Sequence, residues 1–414
     1  MRVGKRVYTF VAMSLALLLF APVAPPAATA DEEKPPAPHV VDLTASDGTK
    51  LKATYYSASQ PGPGVLLLHQ CNQQRKNWDE LAAQLAAVGI HVLTLDYRGY
   101  GDSSGDHPNE MDMGAWHKML TEKWPGDIDQ AIEYLEAQPG VTRHILGIGG
   151  ASCSVNQAIQ AASRHPEVRS LVLLSGATDY RGRAFLRKSD KMPILFVASD
   201  DDTDSAAALM QWLFTLSKNP GSRYVHYQTG GHGTLLFAVH KGLPGTIVDW
   251  YAQTLEKTPG SAPPVQGERP SSSYPPDILE VIDNGGANRI EAKLRALRKN
   301  DPGAKLFAEY LVNVIGYEHM EQGDKKGAIE ILKLNAYAYP DSANVYDSLS
   351  DAYLADGQKE LALENAERAL KMLPTDTTTS EGMRKEIKSS CEKKIAQLGG
   401  KVPQDIAKDK EKRM

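Results

Sequence analysis

Residues 144–154 read His144-Ile145-Leu146-Gly147-Ile148-Gly149-Gly150-Ala151-Ser152-Cys153-Ser154. The stretch His144–Gly149 is short and apolar, the pattern of a buried strand. Val155–Arg164 follows with helical spacing. A serine on the sharp turn between them would present its hydroxyl at the strand end, provided the residues two before and two after are small. Around Ser152 those positions hold Gly150 and Ser154. Around Cys153 they hold Ala151 and Val155, and a β-branched valine fits such a turn poorly. Ser152 is therefore the expected nucleophile, with Cys153 as the alternative.

Working outward, short β-branched runs recur on both sides. Strands are predicted at His39–Thr44, Leu51–Ser57, Gly64–His69, Ile90–Asp96, His144–Gly149, Ser170–Ser175, Pro193–Ala198 and Arg223–Gln228. Asp47-Gly48 marks a hairpin between the first two. Helical stretches at Trp78–Val88, Asp127–Ala137, Val155–Arg164, Ala206–Ser217 and Leu236–Leu255 separate most of the others. This alternation implies an α/β fold with an eight-stranded, mostly parallel sheet covered on both faces.

An activated serine needs a base, an orienting acid and an oxyanion hole. Asp200, Asp201 and Asp202 follow the seventh predicted strand, and Asp202 is the expected acid, its neighbours being solvated loop carboxylates. His232, in Gly230-Gly231-His232-Gly233, follows the eighth and is the expected base. His226 falls inside a strand and His240 on a helix, so neither competes. The order Ser, Asp, His along the chain fits this reading. Backbone N–H groups of Gln70, after the third strand, and of Cys153 are the expected oxyanion donors. The positive end of the helix that starts near Cys153 would reinforce them. His69 is expected to organise its loop.

With these residues in view, 39–256 resembles the α/β-hydrolase superfamily, nearest its dienelactone-hydrolase-like and esterase-like branches. The loop Asp96-Tyr97-Arg98-Gly99-Tyr100-Gly101-Asp102-Ser103 is similar to the one after the fourth strand in those proteins, with Arg98 tied to backbone or carboxylates. The family commonly has glycine after the histidine equivalent to His69, so Gln70 narrows the pocket or brings an amide to it. Some dienelactone-hydrolase relatives use cysteine as nucleophile, which keeps Cys153 in play. The resemblance implies acyl transfer from an ester-like bond to water with no cofactor.

Three cysteines are present, Cys71, Cys153 and Cys391. Cys71 and Cys153 both flank the expected oxyanion hole, so a disulfide would hold its two walls together; the alternative is two packed thiols. No Cys/His cluster has metal-ligand spacing. Only about eighteen residues, Gly176–Pro193, separate the sixth and seventh strands, which excludes a large cap there. A second flap is expected at Asp106–Trp124. Its Met111, Met113, Trp116, Met119 and Trp124 either line an apolar acyl pocket or cover the core.

Residues 1–30 have a basic start (Arg2, Lys5, Arg6), an apolar run and Ala28-Thr29-Ala30, and read as a secretory signal peptide, with an uncleaved membrane anchor as the alternative; no later run is long and apolar enough to span a bilayer. Export to the periplasm or exterior is therefore expected. Losing those three basic residues takes the net charge from −5 to −8, which argues against a nucleic-acid partner. Residues 31–38 read as a leader. Six prolines between 257 and 277 mark a linker.

Beyond it, Gly323 and Gly357, Ala328 and Ala362, Ile315 and Leu349, and Pro340 and Pro374 are each 34 residues apart. This period resembles the tetratricopeptide repeat, carried best by Tyr346, Leu349, Tyr353, Ala362, Ala366, Ala369 and Pro374. The resemblance covers 309–376 and implies a surface for a protein or peptide partner. A preceding helix at 278–300 and a capping helix at 378–398 complete a helical domain at 278–400, followed by a basic tail at 401–414. The whole chain then reads as an exported serine hydrolase with helical repeats. A scaffold with an inactive hydrolase domain and a peptidase-like acyl hydrolase are the alternatives.

Overall fold

A computed structural model describes residues 35–107, 110–202, 206–257, 276–377, 379 and 381–400. The expected signal segment, most of the Pro-rich linker and the basic tail lie outside them.

The strands are β1 (His39–Thr44), β2 (Lys50–Tyr56), β3 (Gly62–Leu68), β4 (His91–Asp96), β5 (Val141–Ala151), β6 (Val168–Leu174), β7 (Ile194–Ser199) and β8 (Arg223–Tyr227). They form one sheet in the order β1-β2-β4-β3-β5-β6-β7-β8. β2 runs antiparallel to both β1 and β4, and every pairing from β4 through β3 to β8 is parallel. The inner strands are apolar because both their faces are covered: every residue of β3, β4 and β7 is buried.

Alternate positions of one strand feed two cores. Leu66 and Leu68 of β3 pack with α3 (Trp124–Glu136), α4 (Ser154–Arg164) and α6 (Ala206–Leu216), whereas Val65 and Leu67 pack with α1 (Asp79–Ala87) and α8 (Leu243–Tyr251). The period of two along a strand sends neighbouring side chains to opposite faces.

The helical part comprises α9 (Pro276–Asp283), α10 (Ala287–Arg298), α11 (Glu309–Glu321), α12 (Lys325–Ala338), α13 (Ala343–Ala355), α14 (Lys359–Met372) and α15 (Glu381–Gln397). α11 and α13 start 34 residues apart, as do α12 and α14. Ala328 and Ala362, one period apart, are both fully buried, so they let the paired helices approach. Asn335 takes a position where the repeat family has a small residue; its amide donates to Glu309 O at 3.0 Å.

The helical part shares a core with the sheet. Ile278, Ile282, Phe307 and Leu311 join the cluster that contains Leu186, Met210 and Leu213. The contact is fastened through α5 (Tyr180–Leu186). Arg183 pairs with Asp283 at 2.8 Å and Glu318 at 2.5 Å, and Arg187 pairs with Glu280 and Asp283, each at 2.8 Å.

Several elements differ from the sequence reading. The expected helix Leu236–Leu255 is broken into α7 (Leu236–Val239), α8 and a π-type segment Ala252–Lys257. Pro244 opens α8, where a proline lacking its N–H is tolerated. His240 accordingly lies in the break rather than on a helix. The expected helix 278–300 is two helices, parted at Gly285-Gly286, and α9 begins inside the stretch read as linker. In the Asp106–Trp124 segment, α2 (Met113–Lys118) leads through a π-type turn to α3. Trp124 is fully buried and stacks on Tyr97 at 3.7 Å, so it belongs to the core. Among the described residues, no helix is long and apolar enough to cross a membrane.

Candidate active site

β5 ends at Ala151 and α4 begins at Ser154, which leaves Ser152 and Cys153 to make the turn. Ser152 has φ +56°, a left-handed conformation uncommon for a non-glycine residue and costing of order 1–3 kcal/mol. Its N–H is held by Leu174 O at 2.8 Å, and its carbonyl accepts from Val155 N at 2.9 Å. The turn is so tight that a Cβ on Gly150 would strike the Ser154 carbonyl, and one on Gly176 would strike that of Ser152. Gly150 was legible in the sequence; Gly176, which follows β6, was not.

Ser154 does more than stay small. Its fully buried hydroxyl donates to His69 O at 2.6 Å, so it must accept from Tyr97 OH at 2.8 Å. The elbow is thereby fixed to the loops after β3 and β4. His69 is an organiser, as expected. One ring nitrogen, Nδ1, donates to Gln70 O at 2.8 Å, and the other, Nε2, accepts the Tyr97 N–H at 3.2 Å. That pattern requires a neutral ring, and burial pulls its pKa down to about 4.

The three aspartates after β7 divide the work. Asp202, its side chain fully buried, places both carboxylate oxygens 2.9 Å from Nδ1 of His232. Asp201 accepts the N–H groups of Gly230 and Gly231 at 3.1 and 2.9 Å and the Ser199 hydroxyl at 2.7 Å. These hydrogen bonds, led by that of Gly231, hold its pKa below the usual carboxylate value. Asp200 pairs with Nε2 of His226 at 2.8 Å. Asp200 and Asp201 are exposed loop carboxylates, as expected, and each in addition anchors a partner on β8 or the histidine loop.

Cys71 and Cys153 form a disulfide, with Cα atoms 5.9 Å apart. The neighbouring Gln70 is buried, and its Oε1 accepts from Thr234 N at 2.9 Å and Thr234 Oγ1 at 3.1 Å. A continuous path thus runs from Ser152 through Cys153, Cys71 and Gln70 to Thr234, two residues past His232. It ties together the loops that carry the expected nucleophile, oxyanion donors and base. The Gln70 amide is consumed in this tie, not offered to a pocket. Among the described residues, neither the Gln70 nor the Cys153 backbone N–H donates to a protein acceptor. A cavity of about 520 Å³ opens beside the disulfide, lined by Cys71, Asn72, Gln73, Gln74, Tyr100, Gly101 and His107.

Arg98 fixes the loop after β4 from below, pairing with Asp127 at 2.6 Å and Asp47 at 2.7 Å. Beside it, Arg75 pairs with the fully buried Asp96 and with Asp102.

The family model described as Serine aminopeptidase, S33 matches residues 59–198. That span covers β3 through the first five residues of β7 and contains Ser152, inside a sheet of order 1-2-4-3-5-6-7-8. The chain carries an α/β-hydrolase domain. Thiohydrolase aneE of Aspergillus aculeatus is 32% identical to it over 133 residues, 32% of this chain and 39% of that protein. An uncharacterized protein of Mycobacterium tuberculosis is 29% identical over 252 residues, 56% of this chain and 84% of that one. Among solved structures, DcsB in complex with its substrate analogue has a TM-score of 0.46 at 15% identity, over 53% of this chain and 100% of that one. The Pyrococcus furiosus esterase Pf2001 has a TM-score of 0.44 at 16% identity, over 53% and 93%. The family match to the α/β-hydrolase domain ends before Asp202, His232 and the helical part.

Proposed function

We propose that the protein is a serine hydrolase that cleaves an ester-like bond through Ser152, His232 and Asp202. The observation that carries this reading is the contact between Asp202 and Nδ1 of His232. A carboxylate there keeps the proton on Nδ1 and leaves Nε2 as the base. His232 takes the Ser152 proton as Oγ attacks the carbonyl carbon. The oxyanion is received by the N–H groups of Gln70 and Cys153, beside the start of α4. His232 then protonates the leaving group, and water, deprotonated in turn by His232, releases the acid and restores Ser152. Two relatives named as thiohydrolases favour including thioesters beside carboxylic esters.

Export belongs to the same proposal. It is supported by the pattern of residues 1–30 and by the disulfide, which persists in oxidising compartments. The helical part is proposed to bind a protein or peptide partner. A cavity of about 520 Å³ on it, whose lining includes Arg298, Tyr337, Tyr346 and Arg368, is the place for such a contact.

Treatment with a fluorophosphonate probe and peptide mapping, beside Ser152→Ala, tests the catalytic reading. Labelling at Ser152 that is absent from the variant is expected. Labelling at Cys153, or none on folded protein, would overturn it.

A further inference from the structure

We propose that the cavity beside the Cys71–Cys153 disulfide binds a neutral, hydrogen-bonding part of the substrate, bearing hydroxyl or carboxamide groups, rather than an alkyl chain. The inference rests on the hydrolase reading of the same site and narrows its substrate class.

Its volume, about 520 Å³, is within the range of small-molecule pockets. It begins at Cys71, which is bonded to the residue after Ser152. Three carboxamide residues in a row, Asn72, Gln73 and Gln74, line it, with Tyr100 and His107 nearby. The Asn72 carbonyl oxygen accepts from Gln70 Nε2 at 2.9 Å, which leaves its NH₂ as a donor. The Gln73 side chain has no protein hydrogen-bond partner among the described residues. These amides give a ligand both donors and acceptors.

Among the described residues, no Asp, Glu, Lys or Arg lines the cavity. Of the formal charges next to the lining in sequence, Arg75 pairs with Asp102 at 2.7 Å, Lys76 approaches the same carboxylate at 3.8 Å, and the third, Asp106, is itself an exposed carboxylate. An anionic group therefore meets no dedicated cation. An alkyl chain would strip water from the carboxamides and return no hydrogen bond. Apolar residues suited to an acyl channel are elsewhere: none of Met111, Trp116, Met119 and Trp124 lines this cavity. Hydroxyl or carboxamide groups replace the water they displace. A site that hydrogen-bonds its ligand discriminates against an analogue lacking those groups more strongly than an apolar pocket discriminates by size.

The test uses the purified full chain and two matched ester series, one varying the alcohol and one varying the acyl group. Each holds a neutral polyol or carboxamide member, an alkyl member and an anionic member of equal length. In one series the neutral polar member is expected to lead in kcat/KM by at least tenfold. Gln73→Leu and Asn72→Leu should each shift that preference toward the alkyl member several-fold. An alkyl or anionic member leading in both series would overturn the proposal, as would an unchanged preference in both variants. Whether the polyol or the carboxamide member leads separates glycosyl-like from peptide-like substrates within it. Failure of every ester, together with no probe labelling at Ser152, overturns the hydrolase reading itself.

Discussion

Cys71 and Cys153 are bonded across a Cα separation of 5.9 Å, joining the loop after β3 to the residue that opens α4. The bond closes a loop of sequence separation 82. It also sits between the two N–H groups assigned to the oxyanion, so its effect is on orientation as much as on stability.

Reduction with dithiothreitol converts the disulfide to two thiols and the reagent to its cyclic disulfide. kcat is expected to fall about 10- to 100-fold, less than or similar to the loss of one oxyanion donor. The Ser154–His69 hydrogen bond and the β3–β5 ladder remain, so the far-ultraviolet circular dichroism should not change. Thiol titration in denaturant should count one thiol before reduction, Cys391, and three after.

The aspartates after β7 should separate by rate. Asp202→Asn forfeits the tautomer control on His232 and is expected to lower kcat by about 10³–10⁴. Asp201→Asn weakens the hold on Gly230 and Gly231 and should cost about tenfold, through a less ordered histidine loop. Asp200→Asn weakens the pairing with His226 and should leave kcat within about twofold. Steady-state kinetics on the three variants, with one ester, checks the order.

His69 makes the folded state acid-sensitive. Its folded pKa of about 4 lies below its ordinary value, so the unfolded chain takes up a proton first as pH falls. Stability from this group is complete above about pH 6.5 and is lost between there and pH 4. The loss amounts to about 3 kcal/mol at the bottom of the window. Urea unfolding at pH 7 and pH 4.5 should show a smaller difference for His69→Asn than for the parent protein.

Arg183 is 1% exposed and lies over Trp212 at 4.8 Å while it holds Asp283 and Glu318. Arg183→Ala strands the buried Glu318 carboxylate and leaves Asp283 to Arg187, and is expected to destabilise by about 3–5 kcal/mol. Arg183→Lys should recover little of this, because an ammonium cannot match a guanidinium that bonds two carboxylates and a carbonyl at once. Denaturant midpoints of the two variants decide it.

Local signals carried much of this molecule. Gly150 and Ser154 around Ser152, the apolar β3 and β7, Asp47-Gly48 and the 34-residue spacing all speak through near neighbours in sequence. What stayed hidden depends on partners far away. The Ser154 hydroxyl acts on His69, 85 residues distant, and the Gln70 amide on Thr234, 164 residues distant. Asp201 reads as a solvated loop carboxylate until the histidine loop folds over it. The breaks at His240–Gly242 and Gly285-Gly286 did carry glycine and proline signals, but the apolar pattern running through them outweighed those signals. Nothing in the hydropathy of α5 announces that it faces another helical layer, because Arg183 and Arg187 look like solvent-facing charges until their carboxylates arrive.

The shared core also bears on biosynthesis. The sheet and its helices are complete by Lys257, yet Leu186, Met210 and Leu213 are covered by side chains that are translated later, from Ile278 to Leu311. A nascent chain therefore carries an open apolar face until some fifty further residues have been made. A gene shortened after the hydrolase part would leave that face open permanently. Its product would be a sticky fragment rather than a minimal enzyme.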